Sequence, residues 1–208
     1  MLARLNAFKR EGDWGRAAEA VDAEFAKLIG SDPAALLRLS DTELLAKVAA
    51  GEPTQVVRHK TLMMATLLRE AGDIALAGDR AEEGKRFYLK ALNLLLDVEA
   101  RGDVEDTPEF VPKVEVFLSA LRGDQLPVGT HAMLMQHYER TGEFAKAEDA
   151  LFAMLDEQPG NNAIVEFGMG FYRRLLAKND VALVDGNLPR QEIETAVKDL
   201  RGRFPETR

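Results

Sequence analysis

Three histidines are the side chains best suited to metal binding or proton transfer at neutral pH: His59, His131 and His137. Two histidines on one helix can share a metal ion when they lie four residues apart, because that spacing puts both on one face. His131 and His137 lie six residues apart, and the chain has no Glu-x-x-His pair of the kind that binds di-iron in helical bundles. We therefore expect no metal site and assign the histidines to packing or surface roles.

The other residues capable of catalysis do not form a recognisable set. Gly78 and Gly84 precede Lys85, but five residues separate the glycines instead of four, and Arg86 stands where a phosphate loop needs Ser or Thr. No serine lies in a Gly-x-Ser-x-Gly motif. Cysteine is absent, which excludes thiolate catalysis, disulfides and Cys-ligated metal clusters. The sequence therefore predicts no enzyme and no cofactor.

The charge balance indicates which kinds of partner are unfavourable. The formal net charge is −8, from 27 Lys and Arg against 35 Asp and Glu. A negative surface repels phosphate backbones, so nucleic acid is disfavoured as the main partner. No stretch approaches the roughly 18 consecutive apolar residues of a membrane span, and residues 1–12 lack the apolar run and cleavage site of a secretory signal. We expect a cytoplasmic protein without membrane contact.

Helical periodicity dominates the chain, whereas the alternation typical of strands is hard to find. Ala147, Leu151 and Met154 follow one helix face. A stripe near the C-terminus consists of Ile193, Ala196, Val197, Leu200 and Phe204. The chain is predicted to be all-α, with helices over 2–12, 15–29, 41–49, 54–77, 80–101, 108–121, 128–140, 144–157, 162–178 and 189–203.

Capping signals mark several of these boundaries. Asp32-Pro33 and Thr107-Pro108 each place a capping side chain before a proline, whose missing N–H is harmless in a first turn. Ser40 and Glu43 have the spacing of a capping box. The acidic run 100–107 is predicted to be a solvated connection. Residues 181–188 are predicted to be a loop with a turn at Asp185-Gly-Asn187.

A repeat of about 34 residues is the mark of tetratricopeptide arrays, in which each helical hairpin stacks on the next. The best match is 128–161. Its signature positions are occupied by Tyr138, Gly142, Ala147, Leu151, Met154 and Pro159. In this pattern, Gly142 forms the turn between the helices, and Ala147 lies where they cross so closely that only a small side chain fits.

Other units follow the same register less fully. A unit starting at 162 puts Tyr172 at the aromatic position, and a fragment near the N-terminus has Gly12-Asp-Trp14 followed by Ala17. A unit starting at 65 matches at Leu68, Gly72, Ala75, Gly84, Tyr88 and Ala91. The segment 92–127 is degenerate as a repeat. An ordinary α-bundle with similar hairpin spacing is the alternative.

On these positions, about two-thirds of the chain resembles the tetratricopeptide superfamily, which implies a right-handed array of stacked antiparallel helical hairpins. We expect 1–52 to be an N-terminal helical segment and 53–208 to be the array with a C-terminal capping helix, within one continuous domain. The segments 138–152, 171–176 and 188–193 are also similar to a small bacterial family of uncharacterised helical proteins, a domain of unknown function. That similarity implies a fold and no activity.

The resemblance also implies a concave groove, lined by the first helix of each pair, that binds a peptide or a helix. The matching positions are Arg69, Glu70, Asp73, Met133, Gln136, Glu139, Arg140, Glu166, Phe167, Gly170, Arg173 and Arg174. Ala163 and Phe167 stand where co-chaperone members carry basic residues, so their terminal-carboxylate ligand is not implied. The alternative is that these charges form the solvated face of amphipathic helices.

The sequence therefore predicts a non-catalytic interaction or scaffold module that binds another protein or peptide through a helical groove or an end face. An uncapped end would favour a homodimer. The alternative, from a different class, is a small-ligand sensor or helical enzyme with a pocket between hairpins, which a buried titratable cluster in a closed cavity would favour. A nucleic-acid regulator would need a basic stripe, against which the net charge weighs.

Overall fold

The computed structural model describes residues 2–102 and 107–203, and within these ranges it contains twelve α-helices and no strand. The helices are α1 (Leu2–Arg10), α2 (Trp14–Ile29), α3 (Pro33–Leu36), α4 (Asp41–Ala49), α5 (Thr54–Ala77), α6 (Ala81–Arg101), α7 (Val114–Ala120), α8 (Val128–Thr141), α9 (Phe144–Glu157), α10 (Asn162–Leu176), α11 (Asp180–Asp185) and α12 (Arg190–Arg203). The all-α prediction is confirmed.

The chain divides into two compact units, Met1–Asp124 and Gln125–Arg208, named unit 1 and unit 2 below. The predicted division between an N-terminal segment, 1–52, and an array, 53–208, falls inside unit 1. That division stays a prediction. None of the described helices combines the length and the apolar character needed to cross a bilayer. Phe204 and residues 103–106 of the predicted acidic connection lie outside the described ranges.

Nine of the ten predicted helices begin and end within two residues of the observed bounds. The exception is 108–121, where the predicted start was wrong and α7 begins at Val114. Pro112 accounts for the difference, because proline disfavours helical geometry at the preceding residue and lacks the N–H that a helix interior needs. After Pro108 the chain makes a single turn, closed by the Val111 N–H donating to the Pro108 carbonyl at 3.0 Å.

Two short helices were not predicted. At α3 the capping prediction is confirmed, because the Asp32 carboxylate accepts from the Ala35 N–H at 2.8 Å. The predicted loop 181–188 was wrong over most of its length, since α11 runs to residue 185. Asn179 caps α11 by accepting from the Ala182 N–H at 2.8 Å. The turn after α11 is present, with Asn187 in the left-handed region at φ 55°.

The capping box at α4 is confirmed. The Glu43 N–H donates to the Ser40 hydroxyl oxygen at 3.2 Å, and the Ser40 N–H donates to the Glu43 carboxylate at 2.7 Å. Each side chain therefore satisfies a backbone N–H that has no partner within the helix.

Unit 1 is built on the α5–α6 hairpin. These two long helices pack against each other, α2 and α4 pack on α5, α7 packs on α6, and α1 packs on α2. A Cβ at Gly84 would lie 3.1 Å from the Gly72 carbonyl oxygen, so the two backbones approach so closely that a side chain there would require a small shift. The Tyr88 ring lies against Gly72 on the same side. Glycine costs about 1 kcal/mol relative to alanine inside a helix, and here it permits the close crossing.

Unit 2 contains a second hairpin, α8–α9. Gly142 ends α8 in the left-handed conformation at φ 81°, and its N–H donates to the Tyr138 carbonyl. Helix α10 packs on α9 and α12, and α11 packs on α12. The Gly186 carbonyl accepts from the Ala145 N–H at 3.0 Å, which fastens the end of α11 to the first turn of α9. A Cβ at Gly186 would lie 2.6 Å from the Gly142 carbonyl oxygen, so a side chain does not fit there.

Candidate functional site

The predicted groove residues lie in both units. Arg69, Glu70 and Asp73 are on α5 in unit 1, and the other nine are on α8 and α10 in unit 2. Each set therefore forms its own surface, and the contacts of the two sets differ.

In unit 1, the three α5 residues contact α1 through an ion-pair network. Lys9 of α1 donates to the Glu70 carboxylate at 2.7 Å and also pairs with Asp73. Arg69 contacts the same two acids, at 2.7 Å from Glu70 and 3.2 Å from Asp73. The side chains of Lys9 and Glu70 are only 16% and 4% exposed. At this position, the predicted groove face is covered by a residue of the same chain.

Tyr88 completes the network. Its hydroxyl donates to the Asp73 carboxylate at 2.5 Å. Burial raises the pKa of Tyr88 well above its usual value, and the hydrogen bond to the Asp73 carboxylate raises it further. The phenol is therefore protonated at neutral pH and acts as a hydrogen-bond donor. Two cations, two carboxylates and one phenol are linked here, although the buried Arg69 Nε has no hydrogen-bond partner among the described residues, and the arrangement suits packing better than proton transfer.

In unit 2, Arg174 of α10 and Glu139 of α8 form a bidentate ion pair. The Arg174 Nε and Nη2 atoms donate to the two Glu139 carboxylate oxygens at 2.6 and 2.7 Å. The hydrogen bond to Glu139 raises the pKa of Arg174, so the guanidinium is charged throughout the accessible pH range. This pairing brings one predicted residue from α8 and one from α10 together.

The remaining predicted residues of α8 and α10 are more accessible. Gln136, Arg140 and Arg173 are exposed, whereas Met133 and Phe167 are half-buried. The Arg173 Nε donates to the carbonyl of Met169 one turn earlier, at 3.2 Å. Glu166 is exposed and Gly170 is half-buried. The face defined by α8 and α10, named the α8–α10 face below, therefore combines basic groups with partly covered apolar ones.

One polar contact of unit 2 was not predicted. The Tyr172 hydroxyl donates to the Glu148 carboxylate at 2.7 Å. Burial raises the pKa of Glu148, the hydrogen bond from Tyr172 opposes that rise, and the nearby acids Asp149 and Glu192 add to it. The sequence predicts Tyr172 only as the aromatic residue of the repeat that starts at 162. No local signal joins two residues that are 24 positions apart.

The histidines occupy three different environments. Burial lowers the pKa of His131, which favours its neutral form at pH 7. His59 packs edge-on against Phe110, with ring centroids 6.1 Å apart, and His137 packs against Tyr138 at 5.3 Å. Within the described ranges, no three His, Cys, Asp or Glu side chains are grouped to hold a metal ion. The expectation that the protein binds no metal stays a prediction.

A family of unknown function (DUF6483) matches residues 42–204, which is most of the chain. The protein therefore belongs to this family. The predicted similarity to an uncharacterised helical family agrees with this match. No curated protein and no solved structure matches the chain.

Proposed function

We propose that this protein is a cytoplasmic, non-catalytic interaction module of tetratricopeptide-like hairpins that binds another protein or peptide through the α8–α10 face. The observation that supports the proposal is the Glu139–Arg174 pair, which joins one predicted residue of α8 to one of α10. The proposal includes the right-handed stacking of hairpins, for which two features of the helices provide support.

The first feature is an ion pair whose first residue lies at the same place before a glycine in both units. The second residues, Asp73 and Arg174, differ in position, because they are the ninth and thirteenth of the repeats that start at 65 and 162. Lys9 and Glu139 each lie three residues before a left-handed glycine, Gly12 at φ 71° and Gly142 at φ 81°. Each reaches a later helix: Lys9 pairs with Asp73, and Glu139 pairs with Arg174. Lys9 is positive and Glu139 is negative, but both lie at the same distance in sequence from the glycine that follows them. This is expected if the helix before each glycine stacks on the first helix of the next hairpin.

The second feature is the close crossing of α5 and α6. In the predicted repeat, Gly72 and Gly84 fall at the eighth and twentieth positions of the unit that starts at 65. They are also the residues at which the α5 and α6 backbones meet. Ala147 is the twentieth residue of the unit that starts at 128, and its side chain is fully buried. The twentieth position is therefore occupied by a small residue both in the repeat that starts at 65 and in the repeat that starts at 128.

The chemistry of the α8–α10 face favours an acidic partner. The last turn of α8 carries Arg140, and the last turn of α10 carries Arg173 and Arg174. On a chain whose formal net charge is −8, these three arginines outnumber the two acids of the face, Glu139, which pairs with Arg174, and the exposed Glu166. Phe167 and Met133 supply apolar surface beside them. An acidic segment with an apolar anchor residue complements this combination.

The proposal is tested by capturing partners with the tagged full chain and then measuring the affinity of each purified partner directly. The test variant is Arg140→Glu with Arg173→Glu. The matched control is Arg38→Glu with Arg122→Glu, which changes two exposed arginines of unit 1 by the same total charge. Circular dichroism verifies that both variants are helical.

We expect at least a tenfold loss of affinity in the test variant and less than a twofold loss in the control. Equal losses in both variants would indicate non-specific charge attraction and would refute a defined face. Retention of only the protein's own copies would replace the proposal with self-association.

A small-ligand module is the second candidate function. A cavity of about 210 Å³ in unit 1, between α2, α3 and the α5–α6 hairpin, favours it. The cavity is partly open to solvent, unlike the closed cavity expected above for a sensor, and its lining suggests a particular class of ligand.

A further inference from the structure

The cavity of unit 1 has an apolar floor. Val21 of α2, Ala71 and Ile74 of α5, and Phe87 of α6 line it, and each is between 2 and 7% exposed. The volume of about 210 Å³ equals that of roughly seven water molecules in the liquid. A ligand of six or seven non-hydrogen atoms therefore fits, and its apolar part would be shielded from water by these side chains.

The rim of the cavity carries two carboxylates, Asp22 of α2 and Asp32 at the start of α3. Asp32 accepts one hydrogen bond, from the Ala35 N–H, at 2.8 Å. In the described part of the chain, neither carboxylate forms an ion pair. Both side chains are exposed at the cavity mouth. Partial burial raises the pKa of Asp22, and the negative charge of Asp32 raises it further, so this side of the cavity is negatively charged.

The one basic residue in the lining does not neutralise them. Arg80 donates to the Glu83 carboxylate at 2.6 Å, and both residues belong to the opposite wall of the cavity. The lining therefore carries three acids and one arginine that is already paired. A positive ligand group at the Asp22 side would be attracted by the negative charge of both aspartates.

We propose that this cavity binds a small primary alkylammonium ion, with its ammonium group between Asp22 and Asp32 and its short aliphatic chain on the apolar floor. A hydrated divalent metal ion would use the carboxylates but would leave the apolar floor in contact with water. A neutral alcohol would use the floor but would leave the two carboxylates unpaired. The alkylammonium ion satisfies both parts of the cavity.

This inference goes beyond the proposed interaction function and does not depend on it. The cavity residues belong to unit 1, and the α8–α10 face belongs to unit 2. An experiment on the cavity therefore succeeds or fails separately from the partner-capture experiment.

The test is a two-dimensional ¹H–¹⁵N NMR titration of the full chain at neutral pH with n-pentylamine, 1-pentanol and calcium chloride. The amine and the alcohol have the same size and differ in charge. We expect n-pentylamine to shift the backbone amides of Val21, Ala71 and Ile74, and to bind at least tenfold more tightly than 1-pentanol. Equal affinity for the two compounds would overturn the proposal, as would amide shifts confined to other regions.

Asp22→Asn is the test variant, because it removes the charge and keeps the size of the side chain. Asp156→Asn, at an exposed position of α9, is the matched control. We expect the first to weaken n-pentylamine binding about tenfold and the second to leave it unchanged. Unchanged binding by Asp22→Asn would refute the proposal, and calcium binding that depends on Asp22 without amine binding would replace it with a metal site.

If Asp22→Asn loses helical content by circular dichroism, Ala18→Leu is the second variant. Ala18 lines the cavity from α2, and the larger side chain occupies space without changing charge. We expect it to weaken the amine and the alcohol alike, by at least tenfold. Full binding of n-pentylamine by Ala18→Leu would show that the amine lies elsewhere.

Discussion

The contact of α1 with α5 in unit 1 and the contact of α8 with α10 in unit 2 are both made by ion pairs, but they differ in burial. The Lys9 and Glu70 side chains are 16% and 4% exposed, whereas those of Arg174 and Glu139 are 52% and 15% exposed. A buried network is expensive to break, because a lost partner leaves a charge without solvent. An exposed pair is weaker and leaves a surface open to a partner.

The largest expected effect is that of Lys9→Met, which keeps the aliphatic stem and removes the charge. Glu70 and Asp73 then share only Arg69, and we expect the free energy of unfolding to fall by about 3 kcal/mol, the lower end for a broken buried pair. Urea denaturation followed by circular dichroism measures it. The control, Lys27→Met, removes a lysine that is 69% exposed, and should cost at most about 0.5 kcal/mol. Equal costs would contradict the difference in burial.

The two buried tyrosines sharpen the comparison. Tyr88→Phe removes the hydroxyl that donates to Asp73, and Tyr172→Phe removes the one that donates to Glu148. Hydrogen bonds to charged groups contribute about 1.5–3 kcal/mol, so we expect each variant to lose about 1.5 kcal/mol of unfolding free energy. We expect the loss to be larger for Tyr88, because Asp73 also belongs to the Lys9 network. A larger loss at Tyr172 would mean that unit 2 depends more on its buried polar contacts.

A smaller effect is expected at the exposed pair. Arg174→Gln and Glu139→Gln should each cost about 0.5–1 kcal/mol, with the double variant costing less than the sum of the two. Because the pair is partly solvated, its coupling energy should fall when the salt concentration is raised. Denaturation of the four proteins at low and high salt measures this. A coupling that salt does not change would place the pair in the same class as the Lys9 network.

The smallest expected effect concerns pH: the contributions of Glu43 and Glu148 to stability should change in opposite directions as the pH rises. Hydrogen bonds from Ser40 lower the pKa of Glu43 in unit 1, whereas burial raises the pKa of Glu148 in unit 2. The stabilising contribution of Glu43 is therefore present above its ordinary pKa of 4.5 and is lost as the pH falls. For Glu148, the folded state holds its proton more tightly than the unfolded state, so stability declines as the pH rises through its raised pKa.

Glu43→Gln and Glu148→Gln test this difference in sign. From below pH 4.5 to neutral pH, the first variant should become less stable relative to the parent protein, and the second should become more stable. Thermal denaturation across that range measures both. Parallel pH profiles for the two variants would contradict the assigned causes.

Much of the helical structure could be predicted from local sequence. Ser40 with Glu43 and Asp32 with Pro33 act within one helical turn, so the residues that begin a helix lie next to each other in the chain. Pro112 carried a signal that was missed, since it is incompatible with the predicted helix 108–121. Helix α11 has only six residues, too few for a hydrophobic period to be visible, although its cap at Asn179 was present.

The contacts of the candidate site could not be predicted in the same way. Lys9 and Asp73 are 64 positions apart, and Glu139 and Arg174 are 35 apart, so the pairing depends on how helices pack. The resemblance placed Arg69 and Asp73 in a groove, but it gave no indication that Lys9 would cover them. The sequence indicates Asp32 only as a helix cap and gives no signal for Asp22, because an aspartate on a helix surface is ordinary, so neither is predicted to line a cavity.

The crossing of α5 and α6 has an evolutionary consequence. The close spacing of the two helices depends on glycine at position 84, because a Cβ there would lie 3.1 Å from the Gly72 carbonyl oxygen. Both glycines fall within the stretch shared with the family, 42–204. A homologue with alanine or a larger residue at position 84 must adjust this crossing by a few tenths of an ångström. The identity of that one residue therefore indicates whether a relative can share the packing of unit 1.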